Sequence, residues 1–127
     1  QELERMYRAA ASVLKPGGRL LGIVTHPAFR LAKGDFSRYG ARIVRQQALD
    51  DHHLVEVAFA DAAVARVTDH QWRADQHEQA AARAGLPGLQ WQAPVPTAAE
   101  CKDRPPGFWD EYRDNNALVV LHARREG

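Results

Sequence analysis

A layered α/β domain is the fold class that this sequence predicts, on three observations. Two short and nearly unbroken apolar runs, Leu20-Leu21-Gly22-Ile23-Val24 and Leu118-Val119-Val120-Leu121, have the pattern of strands covered on both faces of a sheet. Helix-period segments with clear stop signals stand before the first run and between the two. The resulting order is helix, buried strand, loop, hairpin, helix, strand, short helix, buried strand, which alternates element types as layered α/β folds do. With 127 residues, the chain has room for one modest core, so residues 1–127 are expected to form a single unit.

The first helix is expected over residues 1–14, because Leu3, Met6, Tyr7, Ala10 and Leu14 recur at helical spacing and Glu2 and Glu4 sit near its positive end. Lys15 suits a helix carboxyl end, Pro16 stops propagation, and Gly17-Gly18 permit the sharp turn that follows. The chain is in helical pattern from Gln1, with no leading strand, which reads as a start in mid-domain. A strand over residues 20–24 then ends at Thr25-His26-Pro27. Between Ala28 and Tyr39 periodicity is lost. Residues 42–49 are the next strand candidate, Asp50-Asp51-His52-His53 a polar turn, and a return strand begins at Leu54, where Val55, Val57 and Phe59 alternate with Glu56 and Ala58. Val64 and Val67 extend that return, so residues 28–68 read as a loop and hairpin inserted in the domain.

Residues 75–84, rich in Ala, Glu, Gln and Arg, predict a helix stopped by Gly85. A strand over 89–93 ends at Pro94-Val95-Pro96. After Pro105-Pro106-Gly107, the spacing of Phe108, Trp109 and Tyr112 predicts a short aromatic-bearing helix, and the last strand lies between Asn115-Asn116 and Arg124-Arg125.

Composition removes several function classes. Seventeen Lys and Arg against sixteen Asp and Glu leave a net charge of +1, which gives no general pull toward nucleic acid or an anionic membrane. No apolar run is long enough to span a membrane, and no amino-terminal signal pattern is present. Cys101 is the single cysteine, which excludes an internal disulfide framework and a Cys-based zinc cluster and suits a cytoplasmic protein. The six histidines are too scattered to predict a metal site. Ser12 and Ser37 lack a nucleophile's context.

Three stretches, in order, resemble the class I S-adenosylmethionine-dependent methyltransferases of the small-molecule type. Leu3-Glu4-Arg5-Met6 through Val13-Leu14-Lys15-Pro16-Gly17-Gly18-Arg19-Leu20-Leu21 resembles the helix, turn and fifth strand of that fold. Ala81 through Ala84-Gly85-Leu86 resembles the end of its next major helix. Phe108-Trp109-Asp110-Glu111-Tyr112, with Asn115-Asn116-Ala117-Leu118-Val119-Val120-Leu121-His122-Ala123-Arg124, resembles the final helix, turn and antiparallel seventh strand. The resemblance implies a partial Rossmann-like methyltransferase fold, a mixed sheet with an inserted hairpin, lacking the amino-terminal cofactor-binding half. The glycine-rich turn and ribose-binding acid that hold S-adenosylmethionine in that family are not in this sequence. Gly17-Gly18 follow a helix and lead into a strand, the reverse of what the cofactor turn requires.

The resemblance further implies the substrate-binding half of an enzyme, with S-adenosylmethionine bound in the complete enzyme and none by this chain alone. Its partners would be a small-molecule acceptor and the amino-terminal methyltransferase half, or a second chain completing the sheet. His26, directly beyond a strand's carboxyl end, is the candidate base for an acceptor hydroxyl or amine. Tyr39, Trp109 and Tyr112 are candidate walls for an apolar acceptor, and His70 is a further pocket-facing candidate. Trp72 and Trp91 are expected in packing roles. The rival reading is a noncatalytic interaction or ligand-binding domain on the same α/β scaffold.

Overall fold

The computed structural model describes residues 2–59 and 66–127. Helix α1, Glu2–Ser12, buries Leu3, Tyr7 and Ala11, one residue in each turn on a single face. The turn after it is closed by backbone bonds. Gly17, at φ 77°, donates to the Arg125 carbonyl at 2.9 Å, and the Gly18 N–H returns to the Lys15 carbonyl at 2.8 Å. A Cβ on Gly18 would come to 2.8 Å from that same carbonyl oxygen, so the helix-to-strand turn has no room for a side chain there.

Strand β1, Arg19–Thr25, leads away from this turn. Two further elements share its layer, the short strand β5, Gln90–Gln92, and the last strand β6, Leu118–Arg124. Their order is β1-β6-β5, with β6 antiparallel to both neighbours. Strands β1 and β5 therefore run in the same direction on either side of it. Leu20 faces Ala123 and Val24 faces Val119 in the β1–β6 register, so the two apolar runs of the sequence are neighbours. Helix α2, Ala74–Arg83, lies against α1. The first core joins Leu3, Tyr7 and Ala11 to Ala80, Ala81, Leu121 and Ala123, with Leu20 and Val24 packed on it.

The inserted segment forms a sheet of its own. Strands β2, Ala41–Ala48, β3, His53–Phe59, and β4, Arg66–Gln71, pair antiparallel in the order β2-β3-β4, with a bulge in β2 between Ile43 and Arg45. Phe29, Phe36, Ile43, Val55 and Ala117 make the second core, with Tyr39, Val57 and Tyr112 against it. Two short helices, α3, Ala98–Lys102, and α4, Asp110–Asp114, and two single 3-10 turns, Leu31–Lys33 and Ser37–Tyr39, complete the described elements. Polar side chains bind the layers together. Gln71 donates to the carbonyls of His26 and Phe29 at 2.8 and 3.0 Å and accepts from Gln46 Nε2 at 2.7 Å. Asn115 accepts from the Arg30 N–H and donates back to the Arg30 carbonyl, both at 2.9 Å. These bonds satisfy loop backbone that packing has removed from water.

Several expectations change. Val67, expected to extend the return strand of the hairpin, lies instead in the third strand of a three-stranded sheet, β4, which also carries His70; the Val64 part of the expected return lies outside the described residues, as does Gln1. Residues 98–102 are helical, capped by Thr97 Oγ1 accepting from the Glu100 N–H while Glu100 accepts from the Thr97 N–H. Strand β1, expected to be covered on both faces, packs Leu20 and Val24 inward but leaves Leu21 71% and Ile23 70% exposed on the other face. All the pairings among the described residues are antiparallel, so each of the two sheets is antiparallel where the sequence led to a mixed one.

Candidate functional site

Consecutive residues of a strand point to opposite faces, so Ile23 and Val24 near the carboxyl end of β1 open onto different cavities. The Ile23 side holds a cavity of about 670 Å³ with Phe36, Tyr39, Phe108, Trp109 and Tyr112 in its wall. The aromatic cluster is rigidly interlocked. Tyr39 stacks on Trp109 with ring centres 5.4 Å apart and planes at 14°, while Phe108 and Tyr112 stand edgewise to both. The Tyr39 hydroxyl donates to the Phe108 carbonyl at 2.6 Å and accepts from the Tyr112 N–H at 3.0 Å. That hydroxyl therefore fixes the aromatic segment. The Tyr112 hydroxyl donates to the Pro94 carbonyl at 2.6 Å. Trp109 Nε1–H is buried and has no partner among the described residues, and Arg38, Glu100, Arg104 and Asn116 add polar groups to the cavity's lining.

The Val24 side holds a cavity of about 420 Å³ between α1, β1 and β4, walled by Leu3, Met6, Val24 and Trp72. His70 is here, separated by β1 from the three aromatic candidates. It does not stand alone. His70 Nδ1 lies 2.8 Å from His52 Nε2, and His52 Nδ1 lies 2.7 Å from Asp51 Oδ1. The His52 ring is stacked on Trp72, centres 4.0 Å apart and planes at 11°. The Asp51 carboxyl is held below the usual carboxylate range, first by its hydrogen bond from His52. Thr25 Oγ1 donates to Asp69 Oδ2 at 2.6 Å, tying the end of β1 to β4. At the cavity's inner side, Tyr7 and His77 share a 2.7 Å bond between the hydroxyl and Nδ1. Burial holds the His77 ring neutral, with its pKa lowered to about 4, and raises that of the Tyr7 hydroxyl. The Tyr7 hydroxyl donates to Nδ1 in one tautomer of the neutral ring and accepts from Nδ1–H in the other, and in both His77 Nε2 is buried and unpartnered among the described residues.

His26 lines none of these cavities. Its Nδ1 accepts from the Ala28 N–H at 3.0 Å, its N–H donates to the Ala117 carbonyl, and its own carbonyl accepts from Gln71. Burial lowers its pKa. The ring thus serves the turn that leaves β1. Sequence reasoning passed over Asp51 and His52, which lie in a run of four polar residues that reads as a turn. Their only signal there was the proximity of two ionisable types with complementary hydrogen-bonding roles. Among the described residues, no three His, Cys, Asp or Glu side chains are arranged to hold a metal ion.

No protein-family model matches this sequence, and no curated relative matches it. Solved structures do. A protein from Listeria monocytogenes described as an S-adenosylmethionine-dependent methyltransferase aligns over 98% of this chain with a TM-score of 0.62 at 18% identity. A second S-adenosylmethionine-dependent methyltransferase, from Mesorhizobium loti, aligns over 98% with a TM-score of 0.58 at 20% identity. This chain spans 55% and 56% of those two proteins. The likeness shows the fold: a part of the α/β methyltransferase architecture.

The Gly17-Gly18 turn does not build a cradle for S-adenosylmethionine. Such a cradle needs backbone N–H groups free to meet the ligand at a strand-to-helix turn. The N–H groups of Gly17 and Gly18 are already spent on Arg125 and Lys15, in a turn of the opposite sense.

Proposed function

We propose that this chain is the substrate-binding half of an S-adenosylmethionine-dependent small-molecule methyltransferase, inactive without an amino-terminal half that supplies the cofactor site. The observation that carries the reading is the sheet order: an antiparallel β6 between β1 and β5, with α1 and α2 packed together, on a chain that aligns almost wholly with just over half of two methyltransferase-fold proteins. The acceptor enters at the carboxyl end of β1, with Tyr39, Trp109 and Tyr112 forming an apolar wall on one side and His70 standing on the other. Of the two candidate histidines, His70, the pocket-facing one, lines a cavity, and His26, the candidate base, lines none of the three described. The amino-terminal half adds a strand to the open edge of β1 and covers Leu21 and Ile23, whose exposure is otherwise a liability on an edge strand. The single cysteine suits work in the cytoplasm.

Calorimetric titration tests the division of labour. The 127-residue chain is expected to show no saturable binding of S-adenosylmethionine with a dissociation constant below about 10 μM, roughly −7 kcal/mol. Supplying the amino-terminal half, linked or separate, is expected to restore it. One-to-one micromolar binding by the chain alone would mean that it builds a cofactor site itself, and the half-domain reading would fail.

A further inference from the structure

We infer that the cavity between α1, β1 and β4 seats a small ligand with an acidic hydroxyl of the phenol type, whose proton is accepted by Nε2 of His70, with His52 and Asp51 as positioning residues. Calling that ligand the methyl acceptor rests on the reading above; the binding chemistry rests on the cavity alone.

The direction of the hydrogen bonds follows from the one group that has no proton to give. An ionised carboxylate only accepts, so in the 2.7 Å contact with Asp51 it is His52 Nδ1 that carries the hydrogen. A neutral imidazole has one N–H, so His52 Nε2 is then a lone pair. The 2.8 Å contact to His70 must be donated by His70 Nδ1. His70 Nε2 is left with a lone pair and no partner among the described residues. Three residues thus set one tautomer, the less common one for a histidine free in water, and leave a proton acceptor at the end of the chain. The arrangement is held in place. Stacking on Trp72 fixes the His52 ring, whose side chain is only 13% exposed, and Gln76 Nε2 donates to the Asp51 carbonyl at 2.8 Å, pinning the turn.

The lining selects the ligand. Glu2, Asp51 and Asp69 contribute carboxylates and, among the described residues, no Lys or Arg lines the cavity, so a ligand that arrives as an anion is disfavoured, and one that arrives neutral and ionises only as a pair with the His70 imidazolium is favoured. Glu2 is engaged by Arg5 and Asp69 by Thr25, and His77 is neutral, so none of these competes for the His70 lone pair. Leu3, Met6, Val24 and Trp72 suit an apolar body, and about 420 Å³ is the lower part of the range for small-molecule sites, enough for a single-ring compound. An imidazole can compete for a phenolic proton, for which tyrosine near pH 10 is the reference, but not for that of an aliphatic alcohol. In the transfer, the ligand O–H bond breaks with its electron pair kept on oxygen, and an N–H bond forms at His70 Nε2. The imidazolium charge is stabilised through His52 by the Asp51 carboxylate.

The test uses the intact protein, isotope-labelled at histidine, without any methyl donor, and para-nitrophenol as the probe, since its visible absorbance reports ionisation. At neutral pH the His70 Nε2 signal is expected to be that of an unprotonated ring nitrogen, and Asp51→Ala is expected to return His70 to the Nε2–H tautomer. Saturating the protein with para-nitrophenol should protonate Nε2 and shift the dye toward phenolate. His70→Phe should weaken binding by about tenfold or more and abolish that shift. His70 is an exposed residue of β4, so the variant should keep its fold, and His70→Gln gives a second check. A proton already on Nε2 in the free protein, or unchanged dye affinity and absorbance in both variants, would overturn the proposal. An intact protein that binds the dye as described but never binds S-adenosylmethionine would sink the methyltransferase reading and leave this site standing.

Discussion

Tyr7→Ala is expected to cost about 3–5 kcal/mol of stability and Tyr7→Phe about 1–3 kcal/mol. Tyr7 is wholly buried at the centre of the first core, where α1 meets α2 and β6. Truncation to Ala leaves a cavity between two helices that are themselves fixed by the sheet, so the site has little freedom to collapse. The Phe variant keeps the ring and its perpendicular contact with His77 at 5.9 Å, but removes the hydroxyl that partners His77 Nδ1. That leaves Nδ1 buried without a partner, on a ring whose Nε2 already lacks one among the described residues. Urea unfolding of both variants measures the two costs. A Tyr7→Phe variant as stable as the parent would show that the hydroxyl contributes nothing.

Acidification from pH 6.5 to about 4 is expected to destabilise the protein by on the order of 2 kcal/mol through His77. Burial lowers the folded-state pKa of His77 from 6.5 to about 4, so the folded protein favours the neutral ring. Above pH 6.5 the ring is neutral in both states, and its contribution to stability is fully present. Between 6.5 and about 4 the unfolded chain takes up a proton that the folded chain refuses, and stability falls as pH falls. Below about 4 the loss is complete. His26, also lowered by burial, adds a loss of the same sign. The lowered carboxyls of Asp35, Asp51, Asp75 and Glu100 begin to lose their stabilising contribution as pH falls through the ordinary values of 3.8 for Asp and 4.5 for Glu, so they add a loss of the same sign only at the acid end of the His77 window. Unfolding free energies across this range, in the parent and in a Tyr7→Phe, His77→Phe double variant, check the assignment. An unaltered pH slope in the double variant would remove His77 as its source.

The parts of this fold that were legible in the sequence are those where one residue pattern has one physical solution. Leu3, Tyr7 and Ala11 at helical spacing, and the stop at Pro16-Gly17-Gly18, leave little choice but a helix and a sharp turn. Strand β4 was not legible, because Arg66-Val67-Thr68-Asp69-His70-Gln71 carries little apolar signal and becomes a strand through its pairing with β3. Helix α3 did have a local signal, Thr97 and Glu100 in capping-box spacing, which the polar composition of its surroundings obscured. The apolar run of β1 shows what that strand needs on its two faces, not what this chain supplies; α1 and α2 cover only one of them. At the candidate site, the aromatic wall followed from the spacing of Trp109 and Tyr112, whereas the contact of His52 with His70 joins residues 18 positions apart and arises only from the strand register that sets Leu54 opposite His70.

Amide hydrogen exchange along β1 tests the half-domain account most directly, because an antiparallel strand divides its amides between its two edges. The bonds from His26 N–H to the Ala117 carbonyl and from Arg125 N–H to the Gly18 carbonyl set the alternation. Leu20, Gly22 and Val24 therefore direct their amides to β6, and Leu21 and Ile23 direct theirs to the open edge. In the 127-residue chain by itself, the first set should be protected and the second should exchange as open amides. Joined to the amino-terminal half, Leu21 and Ile23 should become as slow as their neighbours. Protection of Leu21 and Ile23 in a demonstrably monomeric 127-residue chain, or their continued rapid exchange in the complete protein, would contradict the account.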